Sequence, residues 1–200
     1  MSINNKLNKK ESLEYLLTEY QQCFEHMRHH GDVSISLAKF IYTILVAVGS
    51  GAFALFRYLE GQTYQYVVVG SIILFSLVIG KVFLLLMVRN RIYFVIVARQ
   101  VNSIRNYLLN NMEMDFLKYN KCYLDPHVPK ALNPWSSYLT LLLILSLING
   151  LLGGLGYYFI INYFIEASFW AGWIFSLIVG ITVAMSHIAI VCYSLYKQDR

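Results

Sequence analysis

No acidic residue falls inside the long apolar stretches of this 200-residue chain. A proton relay or an intramembrane acid–base centre needs such a partner, so both are disfavoured. Proline is confined to Pro126, Pro129 and Pro134, which leaves every other long segment without its strongest helix breaker. Cysteine is limited to Cys23, Cys122 and Cys192. All three fall on or near the side assigned below to the reducing compartment, so structural disulfides are not expected. Absent too are a Gly-rich phosphate loop, a G-x-S-x-G sequence, an H-E-x-x-H pair and a cluster of polar-segment carboxylates. Those absences argue against phosphoryl, acyl and metal-dependent lipid transfer. The chain does not read as an enzyme, and no cofactor or metal is expected. No secretory signal is visible, because the first apolar run starts near position 40 without a small-residue cleavage site.

What is abundant is apolar surface. Apolar residues make up 58% of the chain and charged ones 14%, and the mean hydropathy is +0.53. That composition belongs to membrane proteins. The apolar residues gather in four runs, Lys39–Leu59, Tyr64–Val88, Ser137–Phe164 and Phe169–Tyr196. Each reaches the roughly 20 residues needed to cross a hydrocarbon core of about 30 Å. None alternates apolar and polar as barrel strands do. The expected fold is therefore an all-α integral membrane protein with four transmembrane helices in two hairpins. Basic residues set its orientation: they crowd the N-terminal segment, the long middle connection and the C-terminus, whereas the short connections carry only Arg57 with Glu60 and Glu166. By the positive-inside rule both termini and the middle connection are cytoplasmic, and the membrane is expected to be a bacterial inner one.

Four segments follow. Residues 1–36 form a cytoplasmic amphipathic helix, 37–88 the first hairpin, 89–136 a stalk helix and Pro-containing loop, and 137–200 the second hairpin with a short tail. In the first segment Leu13, Leu16, Leu17, Tyr20, Phe24 and Met27 make a narrow apolar stripe. The opposite face carries Glu14, Glu19 and Glu25 rather than the Lys and Arg of a membrane-surface helix, so the stripe is expected to pack on the stalk. Gly31-Asp32 offers a bend, although a continuous helix is equally allowed. The second span has no Pro or Gly at its inner end. It is expected to run on as a stalk, with Tyr93, Val97, Val101, Ile104, Leu108 and Met112 on one stripe.

Candidate functional residues lie on this rod. Arg91, Arg99, Asn102, Arg105 and Asn106 occupy the arc opposite the stripe. Guanidinium forks suit phosphate, and asparagines add uncharged donors, so this arc is a candidate anion site; a solvated face near anionic lipid is the plain alternative. Lys81 is the one charged residue well inside a span, and with Arg89 it would either line a pore and its inner mouth or snorkel to headgroups. His187, Asn149 and Asn162 are expected to bond between helices. His26, His29 and His30 beside Glu25 have a zinc-like spacing but read as a solvated helix end. Small residues mark helix contacts: Ala47, Gly51 and Ala54 in the first span, and Gly150, Gly153 and Gly154 in the third, with GxxxG spacing.

The layout of cytoplasmic helix, hairpin, extended inner helix (R-N-R-I-Y…A-R-Q-V-N-S-I-R-N-Y) and second hairpin resembles the small multi-span membrane effectors of prokaryotic anti-phage systems. These include SLATT-type proteins and the Hailong membrane effector. The resemblance implies a homo-oligomeric channel, a tetramer, held shut until a nucleotide or oligonucleotide from a companion nucleotidyltransferase reaches its cytoplasmic part. Opening would depolarise the membrane and arrest growth. The competing expectation is a non-conducting membrane adaptor that docks a soluble partner through its cytoplasmic helices.

Overall fold

A computed structural model describes residues 2–112, 125, 127–164 and 169–200. It contains four helices, α1 (Ser2–Tyr58), α2 (Gln65–Met112), α3 (Ser137–Phe164) and α4 (Phe169–Asp199), and no strand among the described residues. All four are long and apolar enough to cross a membrane. The optional bend at Gly31-Asp32 is not used: α1 is one helix of 57 residues. Without Pro or a β-turn sequence, Gly31 costs only about 1 kcal/mol of helix propensity, too little to break so long a rod. α2 likewise passes from apolar to basic sequence without interruption, and its 48 residues extend about 72 Å.

The helices form a row in chain order, α1 against α2, α2 against α3 and α3 against α4, with a smaller contact of α4 on α2. Neighbours run antiparallel. Along α1 and α2, Phe56 meets Tyr66, Phe40 meets Phe83, and the ring of His30 stacks on Tyr93. The turn between them uses Gly61 at φ +84°, a left-handed conformation that favours glycine. Gln65 closes it by donating Nε2–H to the Phe56 carbonyl at 2.7 Å.

Three packing centres are spaced along the row. At the Gly61 end, Ala52, Val69 and Ile73 pack with Leu152 and Phe159. The largest centre lies where α2 changes from apolar to basic: Leu84, Met87, Val88 and Val95 meet Ile41 of α1, Leu139, Leu142 and Leu145 of α3, and Val191 and Leu195 of α4. The third joins the outer lengths of α1 and α2, where Cys23, Val101 and Ile104 are buried with Tyr20, Phe24, Met27, Val97 and Leu108 around them. The expected pairing of the α1 stripe with the basic length of α2 is thus observed. Leu17, assigned to the stripe, is instead 45% exposed, and Cys23, not assigned to it, lies at the centre.

Burial raises the Cys23 thiol pKa, and Glu19 nearby raises it further. In a background of Cys122→Ser and Cys192→Ser, maleimide labelling of Cys23 near neutral pH is expected to be at least about tenfold slower in the folded than in the denatured chain. Equal rates would show that this helix pair is open.

Small residues set the α3–α4 distance. Gly150 lies against the Gly180 carbonyl and Ala184, Gly154 against the Ser176 carbonyl, and Gly153 against Val183. Gly51 does not share this role within the chain. It faces open space, as Ala47 and Ala54 face outward, and Ala52 takes the buried position.

Candidate functional site

Polar side chains concentrate at the level where the apolar length of α2 ends. Asn90, buried, donates Nδ2–H to the His30 carbonyl at 2.8 Å and to Ser34 Oγ at 2.6 Å, while its Oδ1 lies 2.8 Å from His30 Nδ1. These bonds tie α1 to α2 where an unpaired buried amide would cost about 1–3 kcal/mol. Tyr138, in the first turn of α3, donates its hydroxyl to the Met87 carbonyl and so joins α3 to the same level. His30 is therefore an interhelical bonding group, while His26 and His29 are exposed. Among the described residues no three His, Cys, Asp or Glu gather as metal ligands.

About two and a half turns further along α2 is a clamp. The Arg99 guanidinium donates to Asp199 Oδ1 at 2.5 Å, to the Gln198 carbonyl at 3.1 Å and to the Pro129 carbonyl at 3.3 Å. Asp199 in turn accepts the backbone N–H of Ala131 at 2.8 Å and of Leu132 at 3.0 Å. An acid at a helix C-terminus opposes the helix dipole, and the last carbonyls there lack intrahelical donors. Arg99 answers both problems with one charge. Burial alone would push the Asp199 carboxyl upward, but the two amides and Arg99 hold it below the usual carboxylate range. The clamp joins α2, the segment before α3, and the end of α4.

The remaining members of the basic arc are also placed. Asn102, only 6% exposed, donates Nδ2–H to the Val128 and Asp125 carbonyls at 2.7 and 3.2 Å. Arg105 donates to the Tyr20 hydroxyl and lies over the Tyr20 and Phe24 rings. Asn106 accepts from Asn110 on its own helix. Arg91 stacks over Phe94 and Tyr138 at 5.4 and 5.6 Å, and donates once, to the Lys130 carbonyl at 3.3 Å. The five residues line one helix without converging on one point: Arg99 and Asn102 hold the 125–132 segment, Arg105 holds α1, and Arg91 borders a separate cavity.

Arg89 is exposed and folds back on Tyr93. Lys81 is exposed on α2. Deeper in the spans, Asn149 of α3 and His187 of α4, both buried, approach to 3.4 Å. Asn149 Oδ1 has no hydrogen-bond donor among the described residues and sits where a side chain on Gly80 would be. Asn162 bonds to the Tyr158 carbonyl of its own helix rather than across an interface, because a part-buried asparagine four residues past a carbonyl finds its own backbone first.

Sequence reasoning missed Asp199, Asn90, Ser34 and Tyr138. A usable signal existed for Asp199 alone: it is an isolated acid close behind the last apolar run, on the side carrying most of the basic residues. Comparison with protein-family models, with curated proteins and with solved structures finds no match to this chain.

Proposed function

We propose that this protein is a membrane effector of anti-phage defence. In this reading several copies assemble around an axis into an ion channel, which an anionic nucleotide or oligonucleotide opens from the cytoplasmic side. The observation that carries the reading is mechanical. α2 is one rod from Gln65 to Met112, and the Arg99–Asp199 clamp fastens its basic length to the far end of α4. A displacement of that length is passed to the first and last helices of the row together.

The clamp suggests how an anion would act. Arg99 is already matched by a carboxylate, so a phosphate would compete with Asp199 for the fork rather than fill an open site. Exchange would free the end of α4 and the 129–132 segment, and the closed state is the one with Asp199 in place. The outward small-residue face of α1, Ala47, Gly51 and Ala54, suits close approach by a second copy. Conductance of the purified protein in planar bilayers, with and without cyclic nucleotides and short oligonucleotides, tests the reading. Signal-dependent current is expected, and silence under every condition would end it.

A second reading is a non-conducting adaptor. It is favoured by Tyr15, Leu17 and Tyr107, which are 69, 45 and 56% exposed on the helix pair beyond the spans. A stable soluble partner recovered on that pair, with membrane potential unchanged on expression, is its expected signature.

A further inference from the structure

A cavity of about 270 Å³ opens between α1, α2 and the start of α3, lined by Ser34, Ile35, Arg91, Phe94, Ser137 and Leu141 among others. Its walls are sorted by polarity. Ile35, Phe94 and Leu141 supply apolar surface, while the Arg91 guanidinium and the hydroxyls of Ser136 and Ser137 supply donors. Arg91 carries five N–H donors and, among the described residues, spends one on protein, at the Lys130 carbonyl. No carboxylate pairs with it among the described residues. The faces of Phe94 and Tyr138 lie against it, and the Asp199 carboxylate, itself paired with Arg99, acts on it without an ion-pair contact. A half-buried guanidinium with donors left over, and with no carboxylate in contact among the described residues, favours an oxyanion.

We infer that this cavity holds the phosphate of an anionic glycerophospholipid. Size and position select that source of phosphate. At about 270 Å³ the cavity is smaller than the roughly 300–1,000 Å³ of pockets that enclose drug-sized molecules, a class that includes nucleotides, which suits a phosphate with its first esterified carbons better than a whole nucleotide. Its first α2 residue, Arg91, lies three positions past Val88, where the apolar length of α2 ends, which is the headgroup level of a chain that spans there. The lipid would bridge α1, α2 and α3 next to the His30–Asn90–Ser34 bonds. The inference needs the helices to span a bilayer; it does not need the protein to conduct.

Native mass spectrometry of the protein taken from mixed micelles of equal phosphatidylglycerol and phosphatidylcholine is the test. Retention of one phosphatidylglycerol per chain is expected, preferred about tenfold over phosphatidylcholine, whose choline meets the like charge of Arg91. Arg91→Gln is expected to lose that preference, and Arg89→Gln, which removes a charge at the same level away from the cavity, to keep it. If Arg91→Gln does not purify folded, Ser137→Leu fills the cavity from its exposed rim and is expected to show the same loss. Equal loss in Arg89→Gln, or an unchanged preference in the cavity variants, would overturn the assignment. So would displacement of the lipid by a soluble nucleotide in an Arg91-dependent manner, which would make the nucleotide the source of the phosphate. A channel without bound lipid and a lipid-bound protein without current are separate results, so the two readings fail independently.

Discussion

Gly150→Val is expected to lower the melting temperature of the detergent-solubilised protein by on the order of 10 °C. A β-carbon at Gly150 would stand 2.7 Å from the Gly180 carbonyl oxygen and 2.7 Å from Ala184 Cβ. Neither neighbour has a rotamer to change, so α3 and α4 must separate. In lipid the loss is severe for a particular reason. Hydrocarbon tails solvate a parted interface about as well as leucine does, so close packing and interhelical hydrogen bonds hold the pair together. Overpacking a tight contact costs about 1–3 kcal/mol. Parting the helices also weakens the Asn149–His187 contact one residue away, which places the total near the top of that range. At about 2–4 °C per kcal/mol for a chain of this size, the shift follows. Gly80→Ala should cost less, since the clash at 2.0 Å is with the tip of the Asn149 side chain rather than backbone. Gly49→Val is the internal control, because nothing lies within 4 Å of that position and it points away from the Ala47–Gly51–Ala54 face, and its stability should stay within about 0.5 kcal/mol of the parent. A Gly150→Val protein as stable as the parent would mean that α3 and α4 do not cross there.

Much of this architecture is legible in the sequence because it rests on local pattern. Four uninterrupted apolar runs specify four helices long enough to span, and the missing Pro and Gly after Val88 specify one rod through Met112. Gly150 and Gly154 announce a close contact by spacing alone, but spacing does not name the partner. Gly51 shows the limit: the same kind of small-residue face points away from the rest of the chain.

The candidate site was legible only by composition. Helical periodicity places Asn102 on the polar arc and so predicts an exposed donor, yet it is buried where the carbonyls of Asp125 and Val128 meet it. Arg99 meets Asp199 across 100 positions of sequence. No periodicity within α2 reports that meeting, which depends on where α3 returns the chain and where α4 ends. His30 misleads in the same way: its spacing from His26 suggests a ligand pair, while its actual partner is Asn90, 60 residues away.

Asp199→Ala should destabilise the protein by about 2 kcal/mol, because it strips the acceptor from Arg99 and from two backbone N–H groups, and unsatisfied part-buried donors cost about 1–3 kcal/mol. Asp199→Asn, which keeps one acceptor oxygen, is expected to lose less. The effect should depend on pH with a definite sign. The amides and Arg99 hold the folded-state carboxyl below its unfolded value. The contribution is therefore fully present above the unfolded pKa of about 4 and lost as pH falls through the folded one. The gap in melting temperature between the parent and Asp199→Asn should be constant from about pH 7 to 5 and close below about pH 4, with other acids cancelling in the difference. The side chains of Arg99 and Asp199 are 21 and 16% exposed, enough shelter for the pair to outlast moderate salt. The same substitution separates a structural clamp from a gate. If displacement of Asp199 is what an anionic signal accomplishes, Asp199→Ala should conduct in bilayers with no nucleotide present. Lost stability with no current would leave a clamp that only holds the helices together, and an unchanged melting temperature would remove the clamp itself.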